Sequence, residues 1–284
     1  MYAVTGASGQ LGRLVIEALL RTVKPASIVA LVRDPSKLKE LAARGVVVRA
    51  FDYNDPATLA PALAGVDRLL LISSSEVGSR RAQHQAVLDA AKAKNVGYIA
   101  YTSMLRASTS PMNLAVEHRE TEAAITASGI PYAILRNGWY TENYVMSVAP
   151  AIEHGAFIGS AGDGRISGAS REDFADAAAA ILVDGSVEPR VLELAGDDAF
   201  TLTQFAAAIG EISGRPVIYK DLPEADYRGA LERAGVPAPL ADTLAESDAK
   251  AAHGALFEDG QVLSTLIGRP TTPWRMTLAS ALKG

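Results

Sequence analysis

The sequence predicts an α/β protein, a doubly wound parallel sheet with a smaller C-terminal α/β cap. Three observations predict it. Short apolar runs alternate with helical segments from Tyr2 to Arg136, the rhythm of right-handed βαβ units. Ile28-Val-Ala-Leu-Val32 is apolar at every position, as a parallel strand buried on both faces requires. The first strand, ending at Ala3 and Val4, leads into a turn with Gly6, Gly9 and Gly12, and Leu11, Leu14, Val15, Ala18 and Leu19 then recur at helical spacing.

The elements follow in order. A helix over Ser36–Arg44 is broken by Gly45, and the third strand spans Val46–Phe51, closed by Asp52-Tyr53. A short helix over Pro56–Leu63 precedes the fourth strand, Arg68–Ile72, with Ser73-Ser74-Ser75 at its carboxyl end. Ala82–Lys94 is helical, and Tyr98–Ser103 is the fifth strand, leaving Thr102 and Ser103 at its carboxyl edge. A helix over about Leu114–Ser128 stops at Gly129 before the sixth strand, Tyr132–Arg136. Beyond Asn137 the rhythm loosens. Helices are expected over Asn143–Glu153, Asp173–Leu182 and from Thr201, with Thr201 or Thr203 as cap. Gly155–Gly164 reads as a glycine-rich loop, and Arg190–Leu194 and Val217–Tyr219 read as late strands. The expected division is a dinucleotide-binding Rossmann domain over residues 1–150 and a substrate or cap region over residues 151–284, with segments crossing back into the sheet.

Composition narrows the function. The chain has 284 residues, 49% of them hydrophobic, enough for a substantial core. Lys plus Arg is 27 against 32 for Asp plus Glu, a net charge of −5. That mild acidity leaves no electrostatic footprint for nucleic acid. There are no cysteines, which excludes disulfides, thiol catalysis and cysteine-ligated metal. A strand beginning at Tyr2 leaves no room for a signal peptide, and no apolar run approaches the roughly 18 residues of a membrane helix. A soluble, cytoplasmic protein without nucleic-acid or membrane partners is expected.

The chemistry is sought where each strand ends, because ligands of this fold lie across the carboxyl ends of the strands. In Gly6-Ala7-Ser8-Gly9-Gln10-Leu11-Gly12, Gly6 permits the sharp turn, Gly9 lets the backbone approach a pyrophosphate, and Gly12 lets the helix pack closely. The helix start then offers N–H groups and a positive dipole end. The spacing is G-x-x-G-x-x-G rather than the commonest fingerprint, and the competing reading is a plain tight turn. Arg33, at the end of the second strand, suits a 2′-phosphate through its planar fork; the neighbouring Asp34 could instead turn inward to a ribose and favour NAD. Asp52 could accept from an adenine amino group, or cap its own turn with Asn54 and Asp55. Ser73, Ser74 and Ser75 could line the ribose and pyrophosphate. After the sixth strand, Asn137-Gly138-Trp139-Tyr140 and Asn143 bring amides and aromatics to where a nicotinamide would lie; Trp139 and Tyr140 read equally well as core.

No tyrosine is followed four residues later by a lysine, so the tyrosine–lysine acid–base pair of alcohol-oxidising short-chain dehydrogenases is missing. His118 and Glu122 lie four apart on one helix face. No third ligand completes a metal site, and an ordinary surface pair is expected.

Thr5–Gly12, Val32-Arg-Asp-Pro35, Leu71-Ile-Ser-Ser-Ser75, Tyr98–Ser103 and Gly129-Ile-Pro-Tyr-Ala-Ile-Leu-Arg-Asn-Gly-Trp-Tyr140 resemble the NmrA-like atypical short-chain dehydrogenases. Within them the chain is most similar to the bacterial type 2 NADPH:quinone oxidoreductases, nearly end to end, including Phe157–Gly164 and Leu266–Thr272. The resemblance implies NADP(H) along Gly6–Gly12 with Arg33 at the 2′-phosphate. It also implies cofactor contacts from Ser73–Ser75, from the Asn137–Asn143 loop and from Arg171. This sequence has His118 where the isoflavone-reductase-like branch has a lysine. The implied reaction is hydride transfer from NADPH to a small-molecule quinone, with Trp139 or Tyr140 stacking, Asn143 orienting, and Tyr140 or His118 as proton donor. A homodimer is the candidate assembly. The alternatives are a non-catalytic NADP(H) sensor and a reductase of other flat acceptors such as triphenylmethane dyes.

Overall fold

A computed structural model describes residues 1–283. In chain order the elements are β1 (Tyr2–Val4), α1 (Gln10–Leu20), β2 (Ile28–Val32), α2 (Lys39–Ala43), β3 (Val47–Ala50), α3 (Pro56–Ala62), β4 (Arg68–Leu71), α4 (Arg80–Ala93), β5 (Tyr98–Met104), α5 (Leu114–Ser128) and β6 (Tyr132–Asn137). They continue as α6 (Glu142–Val145), α7 (Val148–His154), β7 (Ala156–Gly159), α8 (Arg171–Val183), β8 (Arg190–Leu194), α9 (Leu202–Ser213) and β9 (Ile218–Asp221). Four helices close the chain, α10 (Glu224–Arg233), α11 (Ala238–Ala251), α12 (Val262–Ile267) and α13 (Trp274–Ala281).

The strands order as β3-β2-β1-β4-β5-β6-β8 in one seven-stranded sheet. Every pairing from β3 across to β6 is parallel, so the doubly wound expectation stands, with the order reversing beside β1. The chain divides into two compact units. The first comprises Met1–Ala107, Val116–Asn137 and Arg171–Leu192; the second comprises Ser108–Ala115, Gly138–Ser170 and the chain from Glu193 onward.

In the first unit the reason for the sheet is plain in the side chains. All five residues of β2 and all seven of β5 are buried, which only a strand covered on both faces sustains. On one face Leu31, Leu69, Leu71 and Tyr101 pack with Leu59, Val87, Leu88 and Ile125 of α3, α4 and α5. Against α1 lies α8, whose Ala175, Ala178 and Ala179 are buried, small residues that allow close helix approach. In the second unit Tyr144, Phe157, Phe200, Phe205 and Trp274 form a chain of ring contacts with centroids 5.0–6.2 Å apart. Thr201 caps α9 through a reciprocal capping box with Gln204.

Several expectations are corrected. The stretch expected as a glycine-rich loop contains β7, which pairs in parallel with the distant β9; long-range pairing overrides local glycine content. The helix expected over Asn143–Glu153 is two, α6 and α7, and the one over Ser36–Arg44 begins with a 3₁₀ turn capped by Asp34. The fifth strand runs one residue further than expected, to Met104, so Thr102 and Ser103 lie inside β5 rather than at its carboxyl edge. No helix among the described residues is long and apolar enough to cross a membrane.

Candidate functional site

A cavity opens at the carboxyl ends of β1 to β4, and its lining includes Gly6, Ser8, Gly9, Gln10, Leu11, Gly12, Arg33, Asp52 and Ser73–Ser75. Sequence reasoning therefore places most of its binding residues around one cavity of the first unit. Ala7 is the exception in the glycine turn: it is fully buried, and its N–H donates to Leu31 O at 3.1 Å, tying the turn to β2.

The turn has the form a phosphate requires. Gly6 has φ +58°, and the Gly9 N–H donates back to Gly6 O at 2.9 Å. Helix α1 starts at Gln10 with no side-chain cap and no acidic residue in its first turn. Its first N–H groups and positive dipole end thus face the cavity uncompensated by the protein. A Cβ on Gly12 would sit 2.4 Å from Gly6 O, so the helix packs directly on the turn only because glycine is there. These residues fit a dinucleotide pyrophosphate.

At the end of β2, Arg33 projects with a side chain 71% exposed, its Nη1 3.6 Å from Glu76 Oε1. Asp34 does not turn inward: its carboxylate accepts the Ser36 N–H at 3.0 Å, and the Ser36 hydroxyl, then that N–H, hold its pKa below the usual carboxylate range. Of the two charges, only Arg33 lines the cavity. Asp52 caps its own turn, its Oδ1 accepting the Asn54 N–H at 3.0 Å, and it also lines the cavity.

The serine run is held from below. The Ser73 N–H donates to Thr102 Oγ1 at 2.9 Å and the Ser74 N–H to His84 Nε2 at 3.0 Å, while Arg80 Nε donates to Ser74 O. Because His84 Nε2 is an acceptor, its proton sits on Nδ1, facing Thr121 Oγ1 at 2.9 Å. Burial, then the Arg80 charge, brings the His84 pKa down to about 4, which keeps that acceptor available. Tyr53 completes the wall, its hydroxyl donating between Thr5 Oγ1 and Ile72 O; burial pushes its pKa up.

His118 and Glu122 are not a surface pair. Both are buried, at 3% and 8% exposure. His118 Nδ1 lies 2.8 Å from Tyr101 Oη, and burial, then Arg80, lowers its pKa to about 3. It is a neutral imidazole at neutral pH, with no acidic proton to give. Glu122 instead accepts from Ser103 Oγ at 2.6 Å and from Arg136 Nε and Nη2 at 2.9 and 2.6 Å, a buried bidentate pair tying α5 to β6.

Asn137 ends β6 buried, and its side-chain Oδ1 has no hydrogen-bond partner. Arg171 opens α8, half-buried. In the second unit Gly138 N–H donates to Leu194 O at 2.7 Å, and Ala169 pairs with the backbone of Trp139 and Thr141. That pairing fixes a half-buried Trp139, whose indole N–H has no partner, a half-buried Tyr140, and Asn143, whose N–H donates to Tyr140 O at 3.0 Å. Sequence reasoning missed Tyr53, Asn54 and Glu76, which also line the cavity. Their position just past the ends of β3 and β4 was the available signal.

Comparison with known proteins agrees with this geometry. A family described as NAD(P)H-binding matches residues 6–185. The quinone oxidoreductase 2 of Escherichia coli K12 is 56% identical over 272 residues, 96% of this chain and 95% of that protein. The crystal structure of the Escherichia coli NADPH-dependent quinone oxidoreductase complexed with NADPH superposes with a TM-score of 0.97 at 54% identity, covering 100% of both chains. The Citrobacter triphenylmethane reductase complexed with NADP(H) superposes at 0.95 with 37% identity, covering 99% of this chain and 100% of that one. The chain belongs to the NAD(P)H-binding, NmrA-like family that includes quinone oxidoreductase 2.

Proposed function

We propose that this chain is an NADPH-dependent quinone oxidoreductase. The observation that carries the reading is the cavity itself: an uncapped helix start behind a glycine turn, with a single arginine at the strand end that sorts dinucleotides. The 56% identity to a quinone oxidoreductase over nearly the whole chain supports the acceptor class.

Bound NADPH supplies a hydride, and a quinone that takes it up with one proton becomes a hydroquinone. The chain's task in such a reaction is alignment rather than acid–base power, because a quinone ring is already electron-poor. The α1 N–H groups and the Ser73–Ser75 segment would hold the phosphates and ribose, and Arg33 the 2′-phosphate. The buried Asn137 Oδ1, lacking a protein partner, is an acceptor suited to a carboxamide N–H. Trp139 and Tyr140 supply aromatic faces for a flat acceptor, and Asn143 orients it. The proton comes from the Tyr140 hydroxyl or from water, since His118 is neutral and committed to Tyr101.

Cytoplasmic location and a homodimer complete the proposal. No helix among the described residues is long and apolar enough to cross a membrane, which is compatible with that location, and light scattering reads one or two multiples of 29.7 kDa. The likeness to triphenylmethane reductase favours a second reading, in which dyes share the acceptor site. Turnover of NADPH with benzoquinone and with a triphenylmethane dye, in the wild type and Tyr140→Phe, tests both. Quinone turnover supports the proposal. Nucleotide binding without turnover of either acceptor would replace it with a sensor.

A further inference from the structure

The cavity rim carries a carboxylate that the cofactor reading does not use. Glu76 follows the serine run directly and lines the cavity with Arg33. Three segments hold it in place. Its N–H donates to Ser74 Oγ at 3.1 Å, and its Oε2 accepts from Gln83 Nε2 at 2.8 Å and Asn54 Nδ2 at 3.3 Å. The Gln83 amide also donates to Asn54 Oδ1 at 2.9 Å, and Gln83 is itself only 4% exposed. One oxygen of Glu76 is thereby anchored to the turn after β3 and to the first turns of α4. The other, Oε1, is left 3.6 Å from Arg33 Nη1.

An ion pair this exposed contributes little to stability. Yet it is held by a partly buried amide network and stands where cofactors are sorted. A phosphate monoester carries about −1.5 to −2 charge at pH 7 and takes the arginine fork bidentately. To do so it must draw Arg33 away from Glu76. A ribose with a free 2′-hydroxyl makes no such demand and leaves the pair intact.

We infer that Glu76 is a specificity-determining residue that competes with the 2′-phosphate for Arg33 and so restrains the preference for NADPH over NADH. This rests on the cofactor reading above. Removing the charge in Glu76→Gln keeps an acceptor for Gln83 and releases Arg33. The ratio of kcat/KM for NADPH to that for NADH then rises about fivefold, the factor matching an exposed ion pair's ceiling of about 1 kcal/mol. The change falls on KM for NADPH with kcat unmoved, because the pair is remote from hydride transfer.

The test measures kcat and KM for both nucleotides in the wild type, Glu76→Gln, Arg33→Ala and the double variant, with calorimetric titration of adenosine 2′,5′-bisphosphate. A tighter bisphosphate and a raised ratio in Glu76→Gln, with at least half of the gain lost once Arg33 is alanine, support the inference. A ratio unmoved by Glu76→Gln, or a gain equally large without Arg33, overturns it while leaving the cofactor reading intact. A wild-type chain that binds neither nucleotide nor the bisphosphate refutes the cofactor reading itself.

Discussion

Gly12→Ala isolates the demand that the glycine turn makes on the chain. The new Cβ would lie 2.4 Å from Gly6 O and 2.9 Å from both Gly6 C and Ala7 Cα. All three are backbone atoms, so no side-chain rotation relieves the clash. Reaching the 3.4 Å at which ordinary Cβ contact begins requires a movement of 3.4 − 2.4 = 1.0 Å. Overpacking of this kind costs about 1–3 kcal/mol, partly offset by about 1 kcal/mol of helix propensity gained by alanine. The fold therefore survives with a net loss of about 0–2 kcal/mol. Binding does not survive as well. In the proposed cofactor site the displaced turn and the α1 N–H groups would be the phosphate donors, and one charge-assisted bond lost is worth about 1.5–3 kcal/mol, about ten- to hundredfold in Kd. Gly9→Ala meets only Gly6 O, at 3.2 Å, and serves as the milder comparison. Fluorescence titration with NADPH gives the Kd of each variant, and urea unfolding gives its stability. A Gly12→Ala chain of near-native stability that binds NADPH within twofold of wild type would refute the role assigned to the turn.

Further outcomes follow from the buried polar groups. Arg136→Met leaves the Glu122 carboxylate buried beside Ser103 without its cation. It should cost about 3–5 kcal/mol in urea unfolding, with a smaller loss when Glu122→Gln is added. Folded His84 and His118 stay neutral down to about pH 4 and 3, whereas unfolded histidines protonate below about 6.5. Their contribution is fully present above pH 6.5 and is lost as pH falls. Asp248, raised to about 6 from 3.8 by burial, holds a proton in the folded chain that the unfolded one has released, and so offsets one of the two. Stability should therefore fall by about 1.4 kcal/mol per pH unit between pH 6 and 4, and Asp248→Asn should steepen that slope toward two protons. Thr201→Ala removes one half of the α9 capping box and should cost about 1 kcal/mol in the same unfolding assay.

What the sequence made legible is what local pattern controls. The strands β2 and β8 and the helix α5 read within their observed bounds, because an all-apolar run or a glycine stop is visible without knowing the partner. The cavity lining was legible for the same reason, since strand ends in this fold point at the ligand. Features that depend on distant partners were not. The strand β7 exists through β9, and Gly155 and Gly159 at its ends concealed it. His118 and Glu122 looked like a surface pair at helical spacing, yet Tyr101 and Arg136 from β5 and β6 draw them inward. Glu76 carried no motif; only Gln83 and Asn54 reveal that it is held against Arg33.

The central claim is that the Arg33 cavity binds NADPH for reduction of a quinone. The most direct measurement is steady-state oxidation of NADPH and of NADH by the purified chain, with and without a simple benzoquinone. The account predicts fast quinone-dependent oxidation of NADPH, slower oxidation of NADH, and negligible loss of either nucleotide without the acceptor. Equal use of both nucleotides would contradict the role of Arg33, and NADPH binding with no quinone-dependent oxidation would contradict the reaction.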